Sequence, residues 1–161
     1  MTEHAAARLE SFDLDHTRVR APYVRIAGRS RTALGDEITK FDLRLVQPNQ
    51  QEIPTAALHT IEHLLAGFLR DALGDSVIDA SPMGCRTGFY LVAHGSPDPA
   101  DVVTALRGAL ERVAGHEGRI PGCSELECGN WRDHSLPGAR GWAEAVLKHE
   151  IIVQETIPIQ R

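Results

Sequence analysis

The sequence predicts an α+β fold, a two-layer sandwich in which a mostly antiparallel sheet carries helices packed on one face. Runs with a period of two indicate strands in hairpins, and apolar residues three or four positions apart indicate amphipathic helices. A length of 161 residues suits one domain over 1–161, and 42% hydrophobic with 24% charged residues is typical of a globular protein. We expect residues 1–8 to be mobile.

A hairpin is predicted in the first third of the chain. The segment VRAPYVRIAGRSRTALGDEITKFDLRLVQP has the pattern of a strand, a glycine-containing turn and a second strand. In the second strand Phe41 and Leu43 alternate with Asp42 and Arg44. The alternation predicts one buried, apolar face and places Arg44 on the polar face.

The next segment, TAALHTIEHLLAGFLRDALG, predicts a helix over about Thr55–Leu73. Pro54 and Thr55 supply a start signal, because proline fits the first turn and threonine can cap free N–H groups. Gly74 supplies the stop. Residues at three- and four-residue steps form one apolar face, namely Leu58, Ile61, Leu65, Phe68, Leu69 and Ala72.

The second half of the chain continues with both kinds of element. SVIDASPMG predicts a short strand and a turn, CRTGFYLVAHG a further strand, and PDPADVVTALRGALERVAG an amphipathic helix that opens with aspartates. A loop with Cys123 and Cys128 follows, then a helix over roughly Gly138–His149. IIVQETIPI predicts a closing strand.

Charge and composition exclude several classes of function. The net charge of −5 and the scattered basic residues argue against a nucleic-acid binder. No apolar run reaches about 18 residues and the N-terminus lacks an apolar signal-peptide core, so we expect a cytoplasmic protein without a membrane partner. The 3 cysteines are then expected to be reduced, available as ligands or reactive groups.

The most informative motif is H-x-x-E-H, formed by His59, Glu62 and His63 within the predicted helix. Two histidines four residues apart stand one turn above the other, roughly 6 Å apart. That spacing suits two imidazoles that converge on one divalent metal at about 2.0–2.1 Å each. Glu62 can reach toward whatever the metal holds, as a proton carrier or a ligand. The alternative is a surface histidine pair beside a solvated glutamate.

Two histidines do not complete a metal site, because catalytic sites usually take three protein ligands. The candidates for the third are Cys85, Cys123, Cys128, the other histidines and carboxylates. Two histidines with one cysteine suit Zn²⁺ or Fe²⁺, but the spacing does not select Cys128 over Cys123. The same pair of cysteines could instead form a hook of their own, although the usual hook has two intervening residues.

Cys85 is the other candidate for chemistry, in the segment SPMGCRTGFY. Pro82 and Gly84 favour a turn just before it, and Arg86 places a positive charge beside it. A cation nearby favours the thiolate form of a cysteine. The alternative is a small buried residue at the entrance of a strand.

Several blocks together resemble one family. The chain resembles S-ribosylhomocysteine lyases of the LuxS type in several blocks, which occur in that family's order over roughly residues 10 to 135. The blocks are HTIEHLLAGF, SPMGCRTGFYL, ESFDLDHTRVRAPYVR, KFDLRLVQPN and the late CGN. The resemblance implies a homodimer with sites near the interface. It also implies cleavage of the thioether of S-ribosylhomocysteine to homocysteine and 4,5-dihydroxy-2,3-pentanedione, the autoinducer-2 precursor.

The resemblance also implies residue roles. The metal ligands would be His59, His63 and Cys128, the acid–base residues Glu62 and Cys85, and the substrate contacts Arg44 and Asp79 with Ser11, Phe12 and His16, the last three reaching into the neighbouring subunit's site. One divalent metal per subunit is implied, with Fe²⁺ expected in the cell and Zn²⁺ or Co²⁺ able to substitute. Glu127 departs from the family pattern, which has glutamine there; Cys123 matches no functional position.

That chemistry explains the residue types. The sugar carbonyl must migrate from C1 to C3 before sulfur on C5 can leave by β-elimination, and each step moves a proton between carbon and oxygen. A divalent metal would stabilise the charge that develops on oxygen as a Lewis acid. Two other readings stay open, a metallopeptidase with the inverted H-x-x-E-H motif and a module in which a four-ligand metal only stabilises the fold.

Overall fold

A computed structural model describes residues 9–160 of the chain. Residues 1–8, for which the sequence predicts mobility, lie outside the described residues, and one domain over 1–161 stays a prediction. The helices are α1 Glu10–Asp13, α2 Thr55–Leu73, α3 Pro99–Ala114 and α4 Leu136–Leu147, with a 3-10 turn at Gly74–Ser76. The strands are β1 Tyr23–Arg31, β2 Glu37–Arg44, β3 Val77–Pro82, β4 Gly88–His94 and β5 Ile152–Val153.

The strands form one five-stranded sheet in the order β3-β4-β2-β1-β5. Every neighbouring pair is antiparallel except β1 and β5, which are parallel. The helices α2, α3 and α4 pack together over one face, where Phe41 and Leu43 of the sheet meet Ile61 and Leu106 of the helices in the main core. The predicted α+β class, with a mostly antiparallel sheet, is confirmed.

Strand β4, which pairs with β2, requires a glycine at its first residue. A Cβ on Gly88 would lie 2.2 Å from the carbonyl oxygen of Leu43 and 2.9 Å from the Cα of Arg44. Those atoms are backbone atoms of a paired strand and have no room to move. Gly88 therefore allows β4 to begin directly against Arg44, with which it is in register.

Helix α2 has the predicted bounds, but its start differs in detail. Pro54 occupies the N-cap position and no side chain caps the helix there. The hydroxyl of Thr55 instead donates to the carboxylate of Asp133 at 3.4 Å. At the other end the N–H of Gly74 bonds to the carbonyl of Arg70, as the stop signal predicts.

Four other elements differ from the sequence prediction. Helix α1 was not predicted, and α4 begins at Leu136 because Ser135 accepts from the N–H of Gly138 as its cap. Strand β4 begins at Gly88 because residues before it form a turn. The predicted closing strand is reduced to β5, since Pro158 cannot donate to a ladder and makes only an isolated bridge to Leu14.

Residues 9–160 contain no helix that is both long and apolar enough to cross a membrane.

Candidate functional site

Helix α2 and the loop before α4 bring three predicted ligands together. The Nε2 atoms of His59 and His63 are 3.1 Å apart, and the Sγ of Cys128 is 3.4 Å from the Nε2 of His59. Two nitrogens at about 2.0–2.1 Å from a tetrahedral metal lie about 3.3 Å from each other, and a sulfur at about 2.3 Å lies about 3.6 Å from each nitrogen. The observed spacing therefore fits a divalent ion with these three donors.

Backbone carbonyls set the orientation of both imidazoles on α2. The Nδ1 of His59 bonds to the carbonyl of Asp133 at 2.9 Å, and the Nδ1 of His63 bonds to the carbonyl of Pro121 at 2.8 Å. Because a carbonyl oxygen only accepts, each Nδ1 carries a proton, and in the neutral ring each Nε2 then presents a lone pair. Two lone pairs facing each other at 3.1 Å repel unless a cation lies between them. The residues present thus fit a bound metal.

The loop that completes the cluster is shaped by its local sequence. Gly122 has φ +66, and a Cβ there would lie 3.3 Å from the Nδ1 of His63, so glycine lets the Pro121 carbonyl reach that nitrogen. The N–H of Cys128 bonds to the carbonyl of Ser124 at 2.9 Å. This single turn holds the Cys128 thiol toward α2.

A fourth residue, His134, was not predicted. One donor atom from each of His59, His63, Cys128 and His134 lies within 4.8 Å of the others. The Nε2 of His134 is 4.0 Å from the Sγ of Cys128. Burial first, and then His59 and His63, lower the pKa of His134 to about 4, so its ring is neutral near pH 7.

The proton of His134 can be assigned from Thr60. The hydroxyl of Thr60 donates its only proton to the carbonyl of Ala56 at 2.9 Å, so it can only accept from other groups. It lies 3.0 Å from the Nδ1 of His134 and therefore accepts from that nitrogen. The Nε2 of His134 is left with a lone pair, as on the two histidines of α2.

Ring geometry nevertheless separates His134 from the other three donors. Its ring stacks on that of His59, with centroids 3.9 Å apart and an interplanar angle of 23°. A metal must lie close to the plane of each imidazole that binds it. Two stacked ring planes inclined by only 23° intersect much farther from the rings than a metal–nitrogen bond of about 2 Å. The rings of His59 and His63, by contrast, cross at 81°. In this arrangement His59 and His134 do not serve the same ion.

Three other candidate residues of this part of the chain are not among the four clustered donors, namely Glu62, Glu127 and Cys123. Glu62 is half-buried on α2, and among residues 9–160 it has no hydrogen bond or ion pair. The carboxylate of Glu127 accepts from the hydroxyl of Ser124 and is not one of the four clustered donors. The thiol of Cys123 donates to the carbonyl of Trp131 at 3.4 Å and is also outside the cluster.

Cys85 lies at a different cavity, of about 510 Å³. The turn from Met83 to Arg86 exposes the thiol, with the N–H of Arg86 bonded to the carbonyl of Met83 at 2.9 Å. Arg86 has φ +60, a conformation uncommon for residues other than glycine. His16, Arg44 and Thr87 are among the other lining residues, whereas none of the four clustered donors lines this cavity in the part of the chain described.

Arg44 lies on the polar face of β2, opposite the apolar core, but that face is not open to solvent, because Arg44 is only 2% exposed. Its Nη2 and Nε donate to the two carboxylate oxygens of Asp42 at 2.8 and 3.1 Å. Asp42 is also buried and accepts from Arg25 and Tyr23, each at 3.1 Å. Both faces of β2 are therefore buried, one by the apolar core and the other by an ion-pair network.

The buried carboxylate of Asp42 keeps its neighbours Arg44 and Tyr23 in their protonated forms. Burial opposes the charged form of Arg44, but the hydrogen bonds and charge of Asp42 raise its pKa above the ordinary value. Burial, followed by the charge of Asp42, raises the pKa of Tyr23. Arg25 is held further by Glu10 of α1, with which it forms an ion pair. Arg44 is therefore a fixed cation beneath the cavity of Cys85.

The other predicted substrate contacts are divided between this region and the surface. Ser11 lies close to the side chain of Tyr90, and Phe12 is 68% exposed on α1. The Nδ1 of His16 bonds to the carbonyl of Leu14 at 2.9 Å. Asp79 is exposed on β3 and accepts from Ser81.

The cluster and the cavity belong to opposite sides of the sheet. Successive side chains of a strand point to opposite faces. Phe41 and Leu43 point into the core under the helices, so Asp42 and Arg44 point away from the layer that carries the cluster. The thiol and the metal donors therefore lie in different regions of one chain.

The fold and these side chains define an α+β protein with a His/Cys cluster suited to a divalent metal and an exposed thiol above a buried cation. The family described as S-Ribosylhomocysteinase (LuxS) matches residues 9–157, and the chain belongs to this family.

Curated relatives agree with this assignment. The S-ribosylhomocysteine lyase of Thermus thermophilus is 59% identical over 154 residues, 96% of this chain and 98% of the relative. That of Deinococcus radiodurans is 57% identical over 155 residues, with the same shares of 96% and 98%. That of Pediococcus pentosaceus is 56% identical over 143 residues, 88% of this chain and 90% of the relative.

Proposed function

We propose that this chain is an S-ribosylhomocysteine lyase that cleaves the thioether to homocysteine and 4,5-dihydroxy-2,3-pentanedione, by successive carbonyl migrations and β-elimination. Relatives that carry this name are similar over nearly the whole chain. The observation that supports the chemistry most directly is the convergence of His59, His63 and Cys128, with both Nε2 lone pairs directed inward.

We propose that His59, His63 and Cys128 hold one divalent metal per subunit. Imidazole and thiolate donors suit Fe²⁺, Zn²⁺ and Co²⁺, and we expect Fe²⁺ in the cell. When bound, such an ion supplies a Lewis acid for substrate oxygens. The two carbonyl acceptors of Asp133 and Pro121 keep both imidazoles in the tautomer that binds.

Two residues of the chain would move the protons. Glu62 lies on α2 between the two histidines, and its carboxylate is not held by any described partner, so it is free to exchange protons with a substrate at the cluster. The exposed thiol of Cys85 lies above the fixed cation Arg44, and it would take up the carbon-bound proton of the substrate.

These two groups would meet across a homodimer. The cavity of Cys85 and the cluster lie on opposite sides of the sheet in one chain, so one molecule of substrate requires the cluster of one subunit and the cavity of the other. The exposed Phe12 and the cavity residue His16 belong to the segment that would enter the partner's site. Each dimer would then contain two composite sites.

A second candidate function is favoured by one observation, the fourth donor His134. Four protein ligands would close the site and make the metal structural. The stacking of His134 on His59 supports the open, three-donor arrangement instead. A metallopeptidase is not favoured, because such sites recruit a carboxylate as third ligand and the donor cluster found among residues 9–160 includes none.

The proposal is tested with Cys85→Ala and Glu62→Gln. Each homodimer should lose about 10²–10⁴-fold in the release of homocysteine thiol from S-ribosylhomocysteine, because each lacks one acid–base group at both sites. A heterodimer of the two variants, purified through two different tags, has one site with neither defect. It should recover roughly half of the wild-type rate per dimer.

The controls make the outcomes distinct. Cys123→Ala removes a thiol outside both regions and should keep the wild-type rate. An inactive heterodimer would overturn the composite site, and a homodimeric variant with the wild-type rate would overturn the role of that residue. A metal-loaded wild-type protein that releases no thiol would overturn the lyase itself.

A further inference from the structure

Thr87 lies between the thiol of Cys85 and the guanidinium of Arg44. Its Oγ1 is 3.0 Å from the Sγ of Cys85 and 2.9 Å from the Nη1 of Arg44. Thr87 is 4% exposed, so water has little access to the hydroxyl. No pattern in the sequence marks this residue, since a threonine next to a glycine at the start of a strand is common.

The direction of both hydrogen bonds follows from the donors available. A guanidinium has only donors, so Arg44 donates and the hydroxyl of Thr87 accepts. A hydroxyl has one proton, and the only other side-chain partner described for it is Cys85. A thiolate has no proton to give, so when Cys85 is ionised the proton of Thr87 points to Sγ. The chain of donors is then Arg44 to Thr87 to Cys85.

We propose that Thr87 is a positioning residue that couples the buried charge of Arg44 to the Cys85 thiolate through its hydroxyl. The other hydrogen bonds of Arg44 go to Asp42, which fixes the plane of the guanidinium and aims Nη1 at Thr87. A hydrogen bond polarised by a cation stabilises an anion more than a neutral one does. The catalytic meaning of this coupling rests on the proposed function, but the coupling itself can be measured without any assay of that function.

The backbone around Thr87 keeps the arrangement rigid. Its carbonyl accepts from the N–H groups of Leu45 and Val46, at 2.9 and 3.1 Å. The adjoining Gly88 is packed against the backbone of β2. The hydroxyl therefore has a fixed position relative to Arg44, and the proximity of the three groups does not depend on a mobile loop end.

The test compares Thr87→Val with Thr87→Ser in the full-length, metal-loaded protein without substrate. Iodoacetamide alkylates thiolates, so the rate at Cys85, read from its own peptide by mass spectrometry, reports its ionised fraction and access. At about pH 7, Thr87→Val should slow this rate about tenfold or more, because a hydrogen bond to a charged group is lost. Thr87→Ser keeps the hydroxyl and should remain within about twofold of wild type.

Thr39→Val is the matched control. Thr39 is also buried, and its hydroxyl donates to the carbonyl of Gly95 at 2.7 Å, away from Cys85. This change should leave the alkylation rate at Cys85 unaltered. If Thr87→Val does not fold, as judged by circular dichroism, Thr87→Ala replaces it with the same expected loss.

The outcomes separate this inference from the proposed function. A wild-type alkylation rate in Thr87→Val, or an equal loss in Thr87→Ser, would overturn the coupling. A slower alkylation rate in Thr87→Val, restored in Thr87→Ser, supports it. If those rates change as expected while homocysteine release does not, the coupling stands and the role of Cys85 in the proposed lyase is wrong.

Discussion

The metal cluster and the cavity of Cys85 are built on different principles. The cluster joins side chains of one helix and one short loop, and its donors are half-buried. The cavity depends on residues from β1, β2, the turn before β4 and the segment around α1, and beneath it lie the buried charges of Arg25, Arg44 and Asp42. The histidine pair of the cluster is determined by the local spacing of residues. The cavity is determined by the pairing of strands that are distant in the sequence.

The two regions also differ in how their polar groups are satisfied. Beneath the cavity, Arg25 and Arg44 face Asp42 and Glu10, so two cations meet two anions within the chain. In the cluster, the lone pairs of His59 and His63 face each other, and neither ring forms an ion pair with any of the residues 9–160. The buried charges beneath the cavity are therefore paired within the fold, although the Nε of Arg25 has no hydrogen-bond partner among residues 9–160, whereas the donors of the cluster are arranged to hold an ion. Variants in the two regions should fail in different ways.

The largest expected effect is on metal binding. His63→Ala or Cys128→Ala removes one of three donors and should lower metal affinity by at least about 100-fold, leaving the purified protein nearly metal-free. Inductively coupled plasma mass spectrometry measures the metal per chain.

His94→Ala provides the matched control for these variants. His94 is exposed and lies 3.7 Å from Asp36 at the far end of the sheet, so its removal should leave one metal per chain. Full metal occupancy in both His63→Ala and Cys128→Ala would show that the three-donor site is wrong.

The next effect is on stability. Asp42→Asn leaves Arg25 and Arg44 buried without the carboxylate that they share, and removing one partner of a buried ion pair costs about 3–5 kcal/mol. The free energy of unfolding, measured in urea, should fall by that amount while metal binding is kept. The loss should be much smaller in Asp71→Asn, because Asp71 pairs with Arg112 at the surface and such pairs contribute about 0–1 kcal/mol. Equal losses in the two variants would show that burial adds nothing to the Asp42 network.

The difference between the regions explains what the sequence can predict. The i,i+4 spacing of His59 and His63 and the apolar stripe of their helix are local patterns, so the helix bounds and the histidine pair could be predicted from the residues alone. Cys128 required the family resemblance, because a loop cysteine has no periodicity. His134 had no signal at all, since it reaches the cluster through the turn that precedes α4.

The network beneath the cavity could not be predicted for a different reason. Asp42 and Arg44 alternate with apolar residues, and this pattern is the same whether the polar face meets water or a second buried layer. What buries that face is long-range, including Tyr23 and Arg25 in register with β2 and the acidic Glu10 of the short helix α1. The reduced strand β5 is also decided by tertiary contacts and not by its own residues.

The smallest expected effect distinguishes a catalytic metal site from a structural one. His134→Gln should keep one Co²⁺ per chain, with affinity reduced by at most about tenfold, because the stacked ring supports His59 without binding the ion. The visible spectrum of the Co²⁺ protein should keep its thiolate charge-transfer band and its tetrahedral features. His59→Gln is the matched variant on the other ring of the stack, and it should lose the ion. If the two variants lose the ion equally, His134 is a fourth ligand, and the site is closed by protein instead of open to a substrate.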